Sequence, residues 1–140
     1  MNSTTNGLGL LILRLAVGAI LIAHGLQKFM VTTMAGVEGM FEGLGIPAAG
    51  IVAPVFATAE IVAGALLVLG LVTRIAAALG AAMALGALVT VHLSAGFFAQ
   101  DGGYEFVLLL AAAGLALALT GAGRFSLDAA IGSRRNRGRA

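Results

Sequence analysis

The sequence predicts an all-α integral membrane protein, folded as a bundle of four helices. The chain has 140 residues, of which 60% are hydrophobic and 10% charged, whereas about 25% of an ordinary soluble domain is charged. A soluble domain of this size exposes too much of its surface to water to bury so many apolar side chains. The apolar runs are long and unbroken, which favours helices over the alternating strands of a membrane barrel.

Four apolar runs approach the roughly 20 residues that a helix needs to cross a bilayer core. The first is expected to be a retained span and not a cleaved leader, because the segment before it has no basic residue and Arg14 interrupts it. We therefore predict one transmembrane domain over residues 1–132, followed by a basic tail, residues 133–140, that is irregular and attracted to anionic lipid. The predicted spans are residues 8–30, 51–72, 75–93 and 104–120, the last being the shortest.

The distribution of basic residues predicts the topology. With four spans, both termini and the turn between the second and third spans lie on one side of the membrane. Most basic residues fall on that side, so both termini are expected to be cytoplasmic in a multi-pass membrane protein. The basic residues on this side are Arg74, Arg124, Arg134, Arg135, Arg137 and Arg139.

The two outer turns differ in character. Residues 31–50 carry apolar side chains at steps of three to four, which predicts a half-helix lying on the outer surface of the membrane. The second outer turn, residues 94–103, contains Phe97 and Phe98 and is expected to dip into the interface or cover the bundle. The apolar positions of the first turn are Met34, Val37, Phe41 and Leu44.

Glu60 is the most informative single residue, because it lies near the middle of the second span. At 1.5 Å per residue it is about 14 Å from one end and about 18 Å from the other. A lone carboxylate at this depth would take up a proton, so a charged Glu60 needs a cationic partner. Arg14 of the first span is the expected partner; the alternative is that Arg14 extends towards the cytoplasmic surface.

Other polar residues in or beside the spans extend this prediction to a pocket open towards the outer face. His24 and Lys28 share one side of the first span with Arg14, although Lys28 would serve equally as an interfacial anchor. His92 and Glu105 lie at span ends, where the alternative is plain exposure to water. Such a pocket would bind a polar head group, relay protons or receive a quinone head. The predicted pocket residues are Arg14, His24, Lys28, Glu60, His92 and Glu105.

Several classes of function find no support in the sequence. The absence of cysteine excludes disulfides, Cys-ligated zinc and iron–sulfur clusters supplied by this chain. The net charge of +2 gives no indication of nucleic-acid binding. The two histidines are not level and have no flanking motif, so no haem or metal site is predicted. No nucleophile–base motif or nucleotide-binding loop is present, and whether the chain catalyses a reaction stays open.

Four segments, in order, resemble the DoxX family of small bacterial membrane proteins. They are RLAVGAILIAHGLQKF (residues 14–29), GLGIP (43–47), Glu60 with Gly64 and LGLVTR (69–74), and GAGRFSLD (121–128). The resemblance implies a four-helix bundle in the bacterial inner membrane. It also implies a link to sulfur-compound oxidation, in which related subunits pass electrons from thiosulfate to quinone, or to oxidative-stress complexes with superoxide dismutase and a sulfurtransferase.

The resemblance also assigns roles to residues. Arg14, His24, Gly25, Lys28, Glu60 and Arg74 match the family's pattern. Arg124 and Asp128 are expected to shape the cytoplasmic exit of the fourth span, where Ser126 is a suitable N-cap for a short helix.

Three functions remain as hypotheses. The first is a redox-associated subunit that binds a quinone-like head group or carries its protons, with electrons from soluble redox enzymes; quinone is the only cofactor suggested. The second is a scaffold that holds soluble partners through the outer half-helix or the basic tail. The third is a small proton-coupled transporter, which would have to form a homo-oligomer because four spans are few for alternating access.

Overall fold

The computed structural model describes residues 3–137, and this part of the chain is helical without any β-strand. The prediction of an all-α fold is confirmed. A continuous helical segment follows α4, first as a π-helix, Leu88–His92, and then as a 3₁₀ turn, Leu93–Ala95. The six α-helices are α1 (Ser3–Met30), α2 (Met34–Gly43), α3 (Ala49–Leu69), α4 (Thr73–Ala87), α5 (Glu105–Thr120) and α6 (Leu127–Arg137).

The long helices identify the chain as a membrane protein. Within residues 3–137, three segments are long and apolar enough to cross a bilayer: Thr4–Met30, Ala49–Leu69 and Thr73–Ala95. They agree with the first three predicted spans to within a few residues. α5 is also apolar but has 16 residues, or about 24 Å, which is shorter than a bilayer core of about 30 Å.

Glycines set the packing of α1 against α3. A Cβ atom on Gly18 would lie 2.7 Å from the carbonyl oxygen of Gly64, and one on Gly64 would lie 2.6 Å from that of Gly18. Further along, a Cβ atom on Gly25 would lie 2.7 Å from the carbonyl oxygen of Ala57. Glycine at these positions lets the two helical backbones touch. The Gly25–Ala57 contact fixes the register of the two helices beside the candidate site.

Substituting Gly64 tests this contact. We expect Gly64→Ala to lower the free energy of unfolding by about 1–3 kcal/mol, because the added methyl group meets backbone atoms that cannot rotate away. The matched control is Gly9→Ala on α1, where a Cβ atom has no neighbour within 4 Å. Unfolding in mixed micelles, followed by circular dichroism, measures both. Equal stability of the two variants would contradict the role of Gly64.

The first outer turn forms the predicted half-helix, α2. Val37 and Phe41 are buried against Ala49 and Ala53 of α3, and Met34 packs partly against the same cluster. The fourth position of the predicted apolar stripe, Leu44, is instead 40% exposed, at the C-cap of the helix. α2 therefore covers the end of α3 with three of the four predicted side chains.

The chain after α5 contains one confirmed prediction and one that was wrong. Ser126 Oγ accepts a hydrogen bond from the backbone N–H of Ala129 at 3.2 Å, as expected of an N-cap. The tail was predicted to be irregular, but α6 continues to Arg137. The helix can continue through residues 127–137 because they contain no proline and only one glycine, Gly132. Residues 138–140 of the predicted tail lie outside the described residues.

Asp128 caps α4 from the neighbouring helix α6. Its two carboxylate oxygens accept hydrogen bonds from the backbone N–H groups of Val72 (2.8 Å) and Thr73 (3.0 Å). Burial by itself would raise the pKa of Asp128. The two backbone hydrogen bonds and the nearby Arg14 guanidinium outweigh burial, and the pKa of Asp128 lies below its ordinary value of 3.8. Asp128 was predicted to have a structural role, and in the structure it caps the N-terminal, positive end of α4.

The cap predicts a pH dependence. A carboxyl group whose pKa is lowered by folding stabilises the protein at pH values above its pKa in the unfolded chain, here 3.8. The stabilisation disappears as the pH falls through the pKa of the group in the folded protein. We expect Asp128→Asn to cost about 1 kcal/mol near neutral pH, as for loss of an N-cap. Its deficit relative to wild type should shrink as the pH falls below 3.8. Thermal unfolding at several pH values measures this, and a deficit independent of pH would contradict it.

Arg124 and Arg74, the other two residues with predicted structural roles, also lie at this end of the bundle. Arg124 Nη1 donates a hydrogen bond to Thr4 Oγ1 at 2.8 Å, and its guanidinium lies 5.2 Å from the centre of the Phe125 ring. Arg74 is exposed beside Gly121. Arg124 thus ties the segment after α5 to the start of α1.

Candidate functional site

A cavity of about 320 Å³ lies towards the α2 end of the bundle, enclosed by side chains of α1 to α5 and the π-helix. Its volume is at the lower end of the range typical of small-molecule sites. The wall is mostly apolar and includes Leu21, Phe41, Val52, Phe56, Met83, Val107 and Leu110. Five polar side chains interrupt it: His24, Lys28, Glu60, Thr90 and His92.

An ion pair between α1 and α3 is the principal polar feature of the cavity. Lys28 Nζ donates a hydrogen bond to Glu60 Oε2 at 2.7 Å. Glu60 is only 7% exposed, and Nζ also lies 5.7 Å from the centre of the Phe56 ring. The helices are antiparallel, with Gly18 against Gly64 and Gly25 against Ala57, so Lys28 lies about 9 Å along the axis from the level of Glu60. The two long side chains close this gap because each leans towards the N-terminus of its own helix, and therefore towards the other. The ammonium of Lys28 is therefore the positively charged partner that a buried carboxylate needs.

The two histidines lie on different walls. The His24 ring stacks on Phe106 with a centroid separation of 5.9 Å and an interplanar angle of 17°. His92 Nδ1 lies 2.7 Å from the carbonyl oxygen of Gly102. Because a carbonyl only accepts, Nδ1 carries the proton, and Nε2 of the neutral ring is then an acceptor. The ring of His92 can thus exchange a proton through Nε2 without losing the bond that orients it.

The π-helix was not anticipated from the sequence. In a regular α-helix three consecutive residues point in directions 100° apart, yet Thr90, Val91 and His92 all line the cavity. The wider turn redirects these side chains, and Thr90 Oγ1 donates a hydrogen bond to the Gly86 carbonyl at 2.8 Å. Such insertions often occur at functional sites. The available signal was the consecutive β-branched run Val89 to Val91, which packs poorly in a regular helix.

The predicted pairing of Arg14 with Glu60 was wrong. Arg14 is 2% exposed, and its Nη1 donates to the carbonyl oxygens of Leu67 and Val68, each at 3.2 Å. Nη2 donates to the carbonyl oxygen of Phe125. Leu67 lies seven residues beyond Glu60, about 10 Å further along α3. The guanidinium is held there because carbonyl oxygens in the last turn of a helix have acceptor capacity left and form the negative end of its dipole.

Glu105 also lies outside the cavity wall. Its Oε1 accepts a hydrogen bond from the backbone N–H of Ala99 at 2.7 Å, which stabilises the loop before α5. The carboxylate is in the first turn of α5, where a negative charge is favourable. Of the six predicted pocket residues, the structure brings four together: His24, Lys28, Glu60 and His92. Within residues 3–137, no three side chains of the His, Asp or Glu type form a group able to hold a metal ion.

The chain is similar to known proteins over most of its length. The family model described as DoxX matches residues 9–93. A Bacillus subtilis protein named "Putative oxidoreductase CatD" is 40% identical over 121 residues, covering 86% of this chain and 85% of the relative. A Mycobacterium tuberculosis protein named "Uncharacterized membrane protein Rv3486" is 38% identical over 135 residues, covering 87% of this chain and 80% of the relative. No solved structure matches the chain.

Proposed function

The chain belongs to the DoxX family, and on that premise we propose that it is a redox-associated membrane subunit whose cavity binds the head group of a quinone. The observation that carries the proposal is the Lys28–Glu60 ion pair in an otherwise apolar cavity. A quinone head is a flat apolar ring with two carbonyl oxygens. The relative named as an oxidoreductase supports the redox context.

The residues present fit such a head group. A cavity of about 320 Å³ is large enough for one substituted ring. The ammonium of Lys28 has donors beyond the one used by Glu60, so it would hold a carbonyl oxygen. Glu60 would keep Lys28 in place. Phe56 and Phe41, which meet edge to face with centroids 5.8 Å apart, would contact the ring.

A bound quinone would supply the capacity to accept two electrons and two protons. This chain has no cysteine, so we propose that the electrons come from a soluble redox enzyme. His24, Glu60 and His92 are the groups in the wall that would hold and transfer the protons. His92 suits this role because its Nε2 is available while Nδ1 is bonded to Gly102.

The proposal includes an orientation. Both termini would be cytoplasmic in the bacterial inner membrane, since the basic residues concentrate at the α6 end. The cavity would then lie in the outer half of the bilayer. Residues 1–132 would form the transmembrane domain, and a second copy of the chain remains a candidate partner.

Quinone binding by the purified protein in lipid nanodiscs tests the proposal. We expect Glu60→Gln and Lys28→Met to weaken binding of a soluble quinone analogue at least tenfold, the equivalent of about 1.4 kcal/mol for one lost polar contact. Glu42→Gln is the matched control, because Glu42 is an exposed acidic residue of α2 that does not line the cavity. Absence of binding by the wild type would refute the proposal.

The scaffold hypothesis is the second candidate, favoured by the outer loop, where Phe97 is 48% and Phe98 59% exposed. Membrane redox activity in a deletion strain separates the two functions. If Glu60→Gln restores activity as well as the wild type does, the polar residues only fix helix packing and the chain acts as a scaffold. Proton-dependent flux into liposomes that is lost in Glu60→Ala would instead identify a transporter.

A further inference from the structure

The mouth of the cavity can be located from the exposure of its wall. Most lining side chains are buried or half-buried, and the exposed ones all belong to α2 or to the segment from the end of α4 to the π-helix. The cavity therefore opens between these two elements. The exposed lining residues are Met40, Gly86, Thr90 and Val91.

The mouth lies within the length of an apolar segment that can span a bilayer. Gly86 lies 13 residues after Thr73, the first residue of α4, which is about 20 Å along the helix. It is also nine residues before the end of the apolar segment Thr73–Ala95. A side opening at this position faces the hydrocarbon region of a bilayer or its boundary, where apolar molecules arrive by lateral diffusion.

Polarity changes along the cavity. The Lys28–Glu60 pair lies on the α1–α3 wall, and Glu60 is 7% exposed. The mouth is framed chiefly by Met40, Gly86 and Val91, which have no charge. This order suits an amphiphile whose polar head is inside and whose apolar chain points to the lipid.

Gly86 adds no side chain to the mouth. A Cβ atom built there has no neighbour within 4 Å, although the residue belongs to the wall of the cavity. A glycine in a helix costs about 1 kcal/mol relative to alanine, and at Gly18, Gly25 and Gly64 the cost is offset by helix contact. At Gly86 no helix contact requires glycine.

We infer that the ligand is an amphiphile with a long hydrocarbon chain, that it enters from the bilayer between α2 and α4, and that its chain passes beside Gly86. The inference rests on the proposed function only where the amphiphile is taken to be a quinone. The hydrocarbon chain in the mouth is that of a quinone or of a phospholipid, and the two arms of the experiment separate these sources.

The first arm measures binding of two quinones in nanodiscs, one with a long alkyl chain and one without. Gly86→Phe should weaken binding of the long-chain quinone at least tenfold, because its side chain fills the path of several methylene groups. Binding of the chainless quinone should weaken by a clearly smaller factor, because that quinone has no chain to pass Gly86. Gly9→Phe is the control, since Gly9 also has open space around its Cβ position but lies away from the cavity.

The second arm needs no quinone. A phospholipid with a photoactivatable diazirine in its acyl chain should label the lining residues Phe56 and Met83 in the wild type and in Gly9→Phe, but not in Gly86→Phe. The labelled residues are identified by mass spectrometry. Gly86→Leu replaces Gly86→Phe if thermal unfolding shows that the larger side chain prevents folding.

The outcomes are distinguishable. Loss of long-chain quinone binding in Gly86→Phe, but not in Gly9→Phe, supports the inference and identifies the quinone as the source of the hydrocarbon chain. Loss of acyl-chain labelling in the same variant alone supports it and identifies a phospholipid as the source. Labelling without any quinone binding would support the lateral mouth and refute the proposed function. If Gly86→Phe changes neither long-chain binding nor labelling, the lateral mouth is overturned. Quinone binding by the wild type then still tests the proposed function separately.

Discussion

Lys28→Met is expected to destabilise the protein by about 3–5 kcal/mol, because it leaves the carboxylate of Glu60 buried without a cation. Glu60→Gln should cost less. Lys28 has a side chain that is 18% exposed, against 9% for Glu60, so the ammonium can turn towards the membrane boundary whereas the carboxylate cannot. Unfolding in mixed micelles measures the difference between the two variants.

The double variant Lys28→Met/Glu60→Leu separates stability from function. Replacing a whole buried ion pair by apolar side chains is often close to neutral, so we expect its stability to return to within about 1 kcal/mol of the wild type. Quinone binding should not return, because no donor remains for the carbonyl oxygen. A double variant that is folded and binds as the wild type does would show that the pair serves packing alone.

Arg14→Met is expected to cost at least about 3 kcal/mol in stability. It removes the hydrogen bonds from Nη1 to Leu67 and Val68 and the bond from Nη2 to Phe125, and bonds from charged donors are worth about 1.5–3 kcal/mol each. Arg14→Lys should recover only part of the loss, because an ammonium cannot match the planar fork of the guanidinium.

The readout that distinguishes Arg14 from the site residues is ligand binding. Since Arg14 does not line the cavity, the folded fraction of Arg14→Lys should bind the quinone analogue with an affinity within about twofold of the wild type. A loss of affinity as large as that of Lys28→Met would place Arg14 at the site and contradict the geometry.

Local sequence features predicted the helices and most of the candidate site. Hydropathy located the first three spans to within a few residues, and periodicity located α2. The depth of Glu60 indicated a charge-neutralising partner, and four of the six predicted pocket residues line one cavity. The π-helix was missed, because periodicity assumes a constant rotation per residue and Leu88–His92 departs from it.

The sequence by itself determined that this protein lies in a membrane and that a carboxylate in its second long helix requires a cation, since both follow from the cost of transferring known side chains into hydrocarbon. Only the tertiary structure decided which cation it is. The first helix offers Arg14 at one end and Lys28 at the other, and the backbone contacts of Gly18 with Gly64 and of Gly25 with Ala57 fix the register that selects Lys28. Register depends on how two surfaces fit together, which neither helix specifies alone.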